Sequence, residues 1–285
     1  ERNVEKKIPN VQTEIVCPGP KLRGGKMKYP DDYINKIICG DCLDVMKGIP
    51  DNSIDMVLTS PPYDELKEYN GYKFNFQEIA KQMYRTIKTG GSLVWVVNDA
   101  TINGSETCSS FKQAIYFKGI GFKLHDTMIW HKPNCFNFGS NKCYRNSFEY
   151  MFVFSKGSIK EFNLIKDVPT KSNGKTLKGA RKHSNGTRDI VPDFTVGEFK
   201  KRDNVWDINV NCNNNGHPAV FPEALASNHI ISWSKSGDTI LDPFMGSGTT
   251  LKMARKNNRN FIGIDVSPEY CEIAERRLSQ EYLFT

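Results

Sequence analysis

Short apolar runs alternate along this chain with amphipathic stretches, and the alternation predicts its elements. Lys36-Ile-Ile-Cys39 ends in Gly40-Asp41, and Ile54-Asp-Met-Val-Leu-Thr59 ends in Ser-Pro-Pro. Both read as buried parallel strands with loops at their carboxyl ends. Phe76, Ile79, Ala80, Met83, Tyr84 and Ile87 fall at the spacing of an amphipathic helix, which Gly90-Gly91 is expected to stop. Ser92 to Asn98 follows as a strand and about Ser109 to Lys118 as a helix. Lys123 to Trp130 and Glu149 to Phe154 are strand-like runs suited to an antiparallel pair at a sheet edge.

Beyond a polar interval the alternation resumes. Helical spacing over Phe221 to Ser232 precedes a strand at Asp238 to Leu241, a helix at Thr249 to Lys256, a strand at Asn260 to Val266 and a helix at Pro268 to Leu278. That order argues for an α/β fold with a doubly wound, mostly parallel sheet. Residues 1 to 33 carry Pro9, Pro18, Gly19, Pro20, Gly24, Gly25 and Pro30, too many breakers for a regular element, and read as an N-terminal arm ahead of one domain over 34–285. From about Gly157 to Asn215 the chain is rich in Lys, Asn, Gly and Ser and reads as an insertion on the scaffold.

Composition narrows the partners. A chain of 285 residues with 38% apolar content supports an ordinary buried core. No run approaches the roughly 20 apolar residues that span a bilayer, and the polar start Glu1 to Lys7 is no signal peptide, so a cytoplasmic, nucleoid-associated protein is expected. The net charge of +7 is uneven: between Ser155 and Val205 twelve Lys or Arg face six acids. The eight scattered cysteines read mostly as free thiols, since Cys39-Gly-Asp-Cys42 has no second pair at zinc-ribbon spacing and no thioredoxin-like context.

Two segments carry candidate chemistry. Leu241-Asp-Pro-Phe-Met-Gly-Ser-Gly-Thr-Thr250 runs from a strand end at Asp242 through Pro243 and Phe244 to Gly246, Ser247 and Gly248, opening a helix at Thr249. Glycines there let backbone approach a ligand, and the helix start offers unpaired N–H groups, although a Gly-x-Gly helix entry also serves tight packing. About 20 residues on, Asp265 can accept hydrogen bonds from ribose hydroxyls, or it can cap the helix that follows Ser267-Pro268. A nucleoside cofactor is expected. The dinucleotide fingerprint G-x-G-x-x-G is not met, so a site for an amino-acid carboxylate fits better than a pyrophosphate loop.

In Thr59-Ser-Pro-Pro-Tyr63 the prolines fix φ and remove donors, leaving Ser60 and its neighbours to present acceptor oxygens. An exocyclic amine, with two donor hydrogens, complements them. Drawing those hydrogens toward the Ser60 hydroxyl oxygen and the Pro61 carbonyl, with Pro62 stiffening the turn and Tyr63 stacking on the base, would let the nitrogen lone pair localise. Such a base would first have to leave the duplex. The plain alternative is a rigid Pro-Pro corner with a core tyrosine.

Together, Thr59-Ser-Pro-Pro-Tyr63 followed far downstream by Asp242-Pro-Phe-Met-Gly-Ser-Gly-Thr-Thr250 resembles the S-adenosylmethionine-dependent DNA amino-methyltransferases, and the order resembles their circularly permuted beta group. The likeness extends over roughly residues 36 to 280. It implies a seven-stranded sheet with one antiparallel strand, and cofactor contacts at Asp41 and Cys42, at His217, Pro218 and Phe221 of His217-Pro-Ala-Val-Phe-Pro-Glu223, at Asp242, Pro243, Phe244, Gly246, Ser247, Gly248, Thr249 and Thr250, and at Asp265. Ile129-Trp-His-Lys-Pro-Asn134 is a further matching piece. The family's variable segment reads the DNA target, a role that falls here on about 135 to 210, with Lys171, Lys175, Lys178, Arg181, Lys182 and Arg188 as candidate DNA contacts.

Serine at the first motif position resembles the cytosine-N4 enzymes, with N6-adenine as the alternative. The chain has no Pro-Cys-Gln motif, which disfavours ring-carbon methylation. No metal is required by this chemistry. DNA is the expected partner, with a separately acting restriction endonuclease as a further candidate and a monomer or homodimer as the expected state. Two competing classes are a nicotinamide-dependent oxidoreductase, disfavoured by the missing third glycine, and a non-catalytic DNA-binding protein using only the basic insertion.

Overall fold

A computed structural model describes residues 14–16, 27–62, 74–135, 143–210 and 221–280. In chain order its elements are β1 (Ile15–Val16), β2 (Lys36–Cys39), α1 (Cys42–Lys47), β3 (Ile54–Thr59), α2 (Phe76–Thr86), β4 (Ile87–Val97) and a small hairpin, β5 (Thr101–Ile102) with β6 (Ser105–Glu106). Then come α3 (Ser109–Gly119), β7 (Lys123–His131), β8 (Phe148–Ser155), β9 (Lys166–Pro169), β10 (Thr176–Lys182), β11 (Arg188–Thr195), β12 (Phe199–Lys201) and β13 (Val205–Asp207). The chain closes through α4 (Glu223–Trp233), β14 (Thr239–Asp242), α5 (Thr249–Lys256), β15 (Asn260–Asp265) and α6 (Pro268–Gln280).

The main sheet runs β1-β2-β15-β14-β3-β4-β8-β7-β13. β8 is antiparallel to both its neighbours, and every other pairing is parallel. Seven strands with one antiparallel member therefore form the centre, as expected, and the two short strands β1 and β13 extend the edges. Alternation along each strand splits the core in two. Ile38, Val57, Leu93 and Trp95 join Val45, Met46, Ile79, Met83 and Phe117 of α1, α2 and α3 on one face. Ile37, Met56, Val94 and Val96 join Leu225, Ile230, Leu251, Met253 and Leu278 of α4, α5 and α6 on the other. The result is a sheet covered by helices on both faces, which explains why its strands read as nearly unbroken apolar runs.

Several expectations need correction. Gly90 and Gly91 do not stop α2, which ends at Thr86, because Ile87 is fully buried and already pairs with Ile54 of β3. The glycines instead serve a register shift inside β4: Gly90 has φ +90, and a Cβ on Gly91 would lie 2.6 Å from the Asp55 carbonyl oxygen of β3. The β7–β8 pair is antiparallel as expected but interior, since β13 adds Val205, Trp206 and Asp207 beside Ile129, Trp130 and His131. Part of the segment read as an arm belongs to the domain: Ile15 and Val16 pair with Ile37 and Ile38, and Tyr33 is buried.

The chain divides into two compact units, the second being Leu164–Asp203. That unit is narrower than the 135 to 210 range, because β8 and β13 belong to the main sheet. It consists of two antiparallel ladders, β9 with β12 and β10 with β11, and Arg202 clamps Asp167 through a forked ion pair. No helix among the described residues is long and apolar enough to cross a membrane.

Candidate active site at the carboxyl edge of the sheet

Because β2, β15, β14 and β3 are parallel neighbours, their carboxyl ends meet along one edge. The register pairs Asp265 with Cys39, Asp242 with Gly263 and Leu241 with Val57, so Asp41, Asp265, Asp242 and Ser60 follow one another along that edge. The two candidate segments, far apart in sequence, are joined directly: the Thr59 hydroxyl donates to Asp242 Oδ1 at 2.7 Å in a buried hydrogen bond. Strand order converts their separation along the chain into adjacency.

Asp242 is only 4% exposed. Burial pushes its carboxyl up to about 6, against the opposing pull of hydrogen bonds from the Thr250 and Thr59 hydroxyls and the Phe244 amide. The Phe244 N–H reaches Oδ1 at 3.1 Å, which folds the chain back at Pro243. A carboxylate kept from water and held by neutral hydroxyl and amide donors is an unusual choice for stability alone, and it sits where cationic groups of a ligand would be most strongly attracted.

The turn after it depends on its glycines. Gly246 has φ +49, and nothing lies within 4 Å of where a Cβ would sit, leaving a bare approach to the backbone. Gly248 has φ +77 and packs so closely on α6 that a Cβ would lie 2.7 Å from that of Ala274. Asp265 serves this turn and its own helix: Oδ2 accepts the Gly246 N–H and Oδ1 the Ser267 N–H, each at 2.9 Å. The carboxylate thus turns the chain into α6 through an Asx turn, and the cap itself is the Ser267 hydroxyl, which accepts the Tyr270 N–H at 3.4 Å. Asp41 likewise caps α1 by accepting the Leu43 N–H at 2.7 Å.

The remaining candidates are placed unevenly. Ser60 and Pro62 are half-buried and Pro61 is buried at the end of β3. Cys42 is buried in the first core and Pro243 is buried at the turn. Phe244 is half-buried in edge contact with Phe74 at 5.6 Å, and Phe221 packs against the second core ahead of α4. Thr249 and Thr250 are buried, and Ser247 is half-buried. Tyr63, His217 and Pro218 lie outside the described residues. The six candidate DNA contacts Lys171, Lys175, Lys178, Arg181, Lys182 and Arg188 are all exposed and all belong to the second unit.

One group was not foreseen from the sequence. Arg277 of α6 donates through Nη1 to the Ser247 carbonyl at 2.8 Å, to its hydroxyl at 2.7 Å and to the Thr249 hydroxyl at 3.0 Å. Its Nη2 meets Glu223 Oε1 at 3.2 Å, which Lys252 also reaches at 2.8 Å. Although burial acts to raise it, the two cations hold the Glu223 carboxyl below the usual carboxylate range. Three helices thereby brace the glycine turn from behind. Glu223 closes the segment that begins at His217, but nothing in the local sequence marks Arg277.

This donor set fits S-adenosylmethionine. Asp41 and Asp265 offer acceptors at adjacent strand ends, the turn offers unobstructed backbone at Gly246, and the buried carboxylate of Asp242 complements the ligand's positive charges. Comparison with known proteins agrees. The sequence profile of a DNA methylase family, of the N6/N4 type, matches residues 54–276. Orphan methyltransferase M.BamHII of Bacillus amyloliquefaciens is 50% identical over 247 residues, covering 81% of this chain and 91% of that protein. Type II methyltransferase M.BglII of Bacillus subtilis is 31% identical over 274 residues, covering 89% of this chain and 71% of that protein.

Among solved structures, a DNA modification methylase of Thermus thermophilus, complexed with S-adenosyl-L-methionine, shares the fold with a TM-score of 0.61 at 23% identity, over 87% of this chain and 95% of that one. The PvuII DNA methyltransferase does so with a TM-score of 0.60 at 22% identity, over 87% and 90%. The chain belongs to the N6/N4 family of S-adenosylmethionine-dependent DNA amino-methyltransferases.

Proposed function

We propose that the protein methylates the exocyclic N4 amine of a cytosine flipped out of duplex DNA. The observation that supports this reading is the Thr59–Asp242 hydrogen bond, since Ser60 directly follows Thr59 and Asp242 opens the glycine turn. Bound S-adenosylmethionine supplies an electrophilic methyl on a sulfonium, whose transfer leaves a neutral thioether and one excess proton on the amine. The Ser60 hydroxyl and the Pro61 carbonyl accept the two amine hydrogens and turn the nitrogen lone pair toward the electrophile. Pro61 and Pro62 hold these acceptors in place, Tyr63 stacks on the base, and the excess proton leaves to solvent.

Asp41, Cys42, His217, Pro218, Phe221, the turn from Asp242 to Thr250 and Asp265 form the cofactor pocket in this reading. Cytosine is supported by serine, rather than an acid or amide, at the first motif position. The basic second unit contributes phosphate contacts that make affinity salt-dependent. Incubation with DNA and labelled cofactor, digestion to nucleosides and mass analysis of the product tests the assignment. N4-methylcytosine is expected, and N6-methyladenine as the sole product overturns it.

A further inference from the structure

Within the second unit, β10 and β11 form a two-stranded antiparallel ribbon with Ala180 opposite Ile190 and Lys182 opposite Arg188 on one face. The alternate pairs, Gly179 with Val191 and Arg181 with Asp189, occupy the other. The two faces differ in chemistry. On the second, Gly179 is buried, Val191 is half-buried, and Asp189 both opposes Arg181 and hydrogen-bonds His183 Nε2 at 2.5 Å, so charge is balanced locally.

The first face has no acid among these pairs. It sets Lys182 and Arg188 side by side, one step from Ile190, which is 95% exposed. A lone exposed isoleucine is ordinary on a protein surface. An isoleucine held out on a β-ribbon beside a cross-strand pair of cations is a different case, because like charges placed directly opposite destabilise the ribbon unless an anion lies against them. A polyanion answers the cations, and an apolar element within it answers the isoleucine.

Duplex DNA meets both demands. Its major groove, about 12 Å wide, admits a two-stranded β-ribbon, its phosphates line the rims, and the thymine methyl is the apolar group on its floor. The irregularity between Leu177 and Gly179, where the Gly179 N–H turns to Asp193 Oδ1 at 3.2 Å, adds the local twist that lets a ribbon follow a groove. Resting on the DNA methylase reading above, we propose that this face enters the major groove and that Ile190 is a specificity-determining residue reading a thymine methyl, with Arg188 and Lys182 bonding the adjoining base edges or phosphates.

The test uses the full chain on unmethylated genomic DNA, with every modified site mapped by sequencing. The wild type gives a consensus. Ile190→Ser, at a position with almost no packing to lose, is expected to keep the modified base while relaxing one thymine-containing position by about tenfold. Arg188→Gln is expected to weaken discrimination at the same or the adjoining base pair. Ile115→Ser, changing a 70% exposed isoleucine on α3 of the other unit, is expected to leave the consensus as it is. An unchanged consensus in both ribbon variants overturns the proposal. A wild-type product of N6-methyladenine would overturn the cytosine assignment alone, since the mapped consensus still decides the ribbon. A wild type that modifies no DNA overturns both.

Discussion

Replacing Asp242 by asparagine separates what this carboxylate costs the fold from what it does for the reaction. The group is 4% exposed, and burial raises it from 3.8 to about 6. Between those values the folded chain holds a proton that the unfolded chain has released, so stability falls as pH rises through that window and stays lower above it. The whole shift of about 2 units corresponds to roughly 3 kcal/mol. About half of this, roughly 1–2 kcal/mol, falls between pH 5 and pH 8. Asparagine keeps a carbonyl oxygen for Thr59 and Phe244 and brings no charge to desolvate. Urea unfolding of cofactor-free wild type and Asp242→Asn across that range should therefore show the variant gaining roughly 1–2 kcal/mol on the wild type as pH rises, while its methyl transfer falls. Parallel stability profiles would show that the buried Asp242 carboxyl does not take up its proton at raised pH.

Other consequences are as direct. Gly248→Ala combines φ +77 with a Cβ 2.7 Å from that of Ala274, and should lower stability by about 1–3 kcal/mol in urea unfolding; a change inside measurement error would contradict the packing argument. Arg277→Met removes the donor to Ser247 and Thr249 while Lys252 still pairs Glu223, so the KM for S-adenosylmethionine should rise about tenfold with kcat little changed. A fall in kcat alone would mean that the brace does not act through the cofactor turn. If Lys175 and Lys178 touch phosphates, changing both to glutamine should flatten the log-affinity against log-salt slope by about 2.

Much of this architecture could be read in the sequence for a physical reason. Parallel strands buried on both faces have little freedom of composition, so β2, β3, β14 and β15 stand out as apolar runs that stop where the edge residues begin. Helices α2 and α5 show their periodicity because each packs one face on the sheet. The short edge strands could not be seen. Val205, Trp206 and Asp207 acquire strand character only from pairing with β7, where the Trp130 indole N–H also donates to the Ile208 carbonyl at 2.7 Å.

Gly90-Gly91 misled because the same dipeptide suits a helix end and a strand irregularity, and only the closeness of β3 decides between them. At the site, Asp242 and Ser60 were visible as motif residues. Their connection through Thr59 was not, since a hydrogen bond across 183 positions leaves no local trace. Arg277 was invisible for the same reason: its partners Ser247 and Thr249 lie 30 and 28 positions away, at the start of another helix.

In the proposed reaction labour is divided along one sheet edge, with Ser60 receiving the amine and the turn after Asp242 holding the cofactor. Ser60→Ala tests it in a single preparation, by titration with S-adenosylmethionine and by single-turnover methyl transfer to DNA. Cofactor affinity is expected to stay close to that of the wild type, with a transfer rate lower by about 100-fold or more. Transfer at the wild-type rate would remove Ser60 from the mechanism.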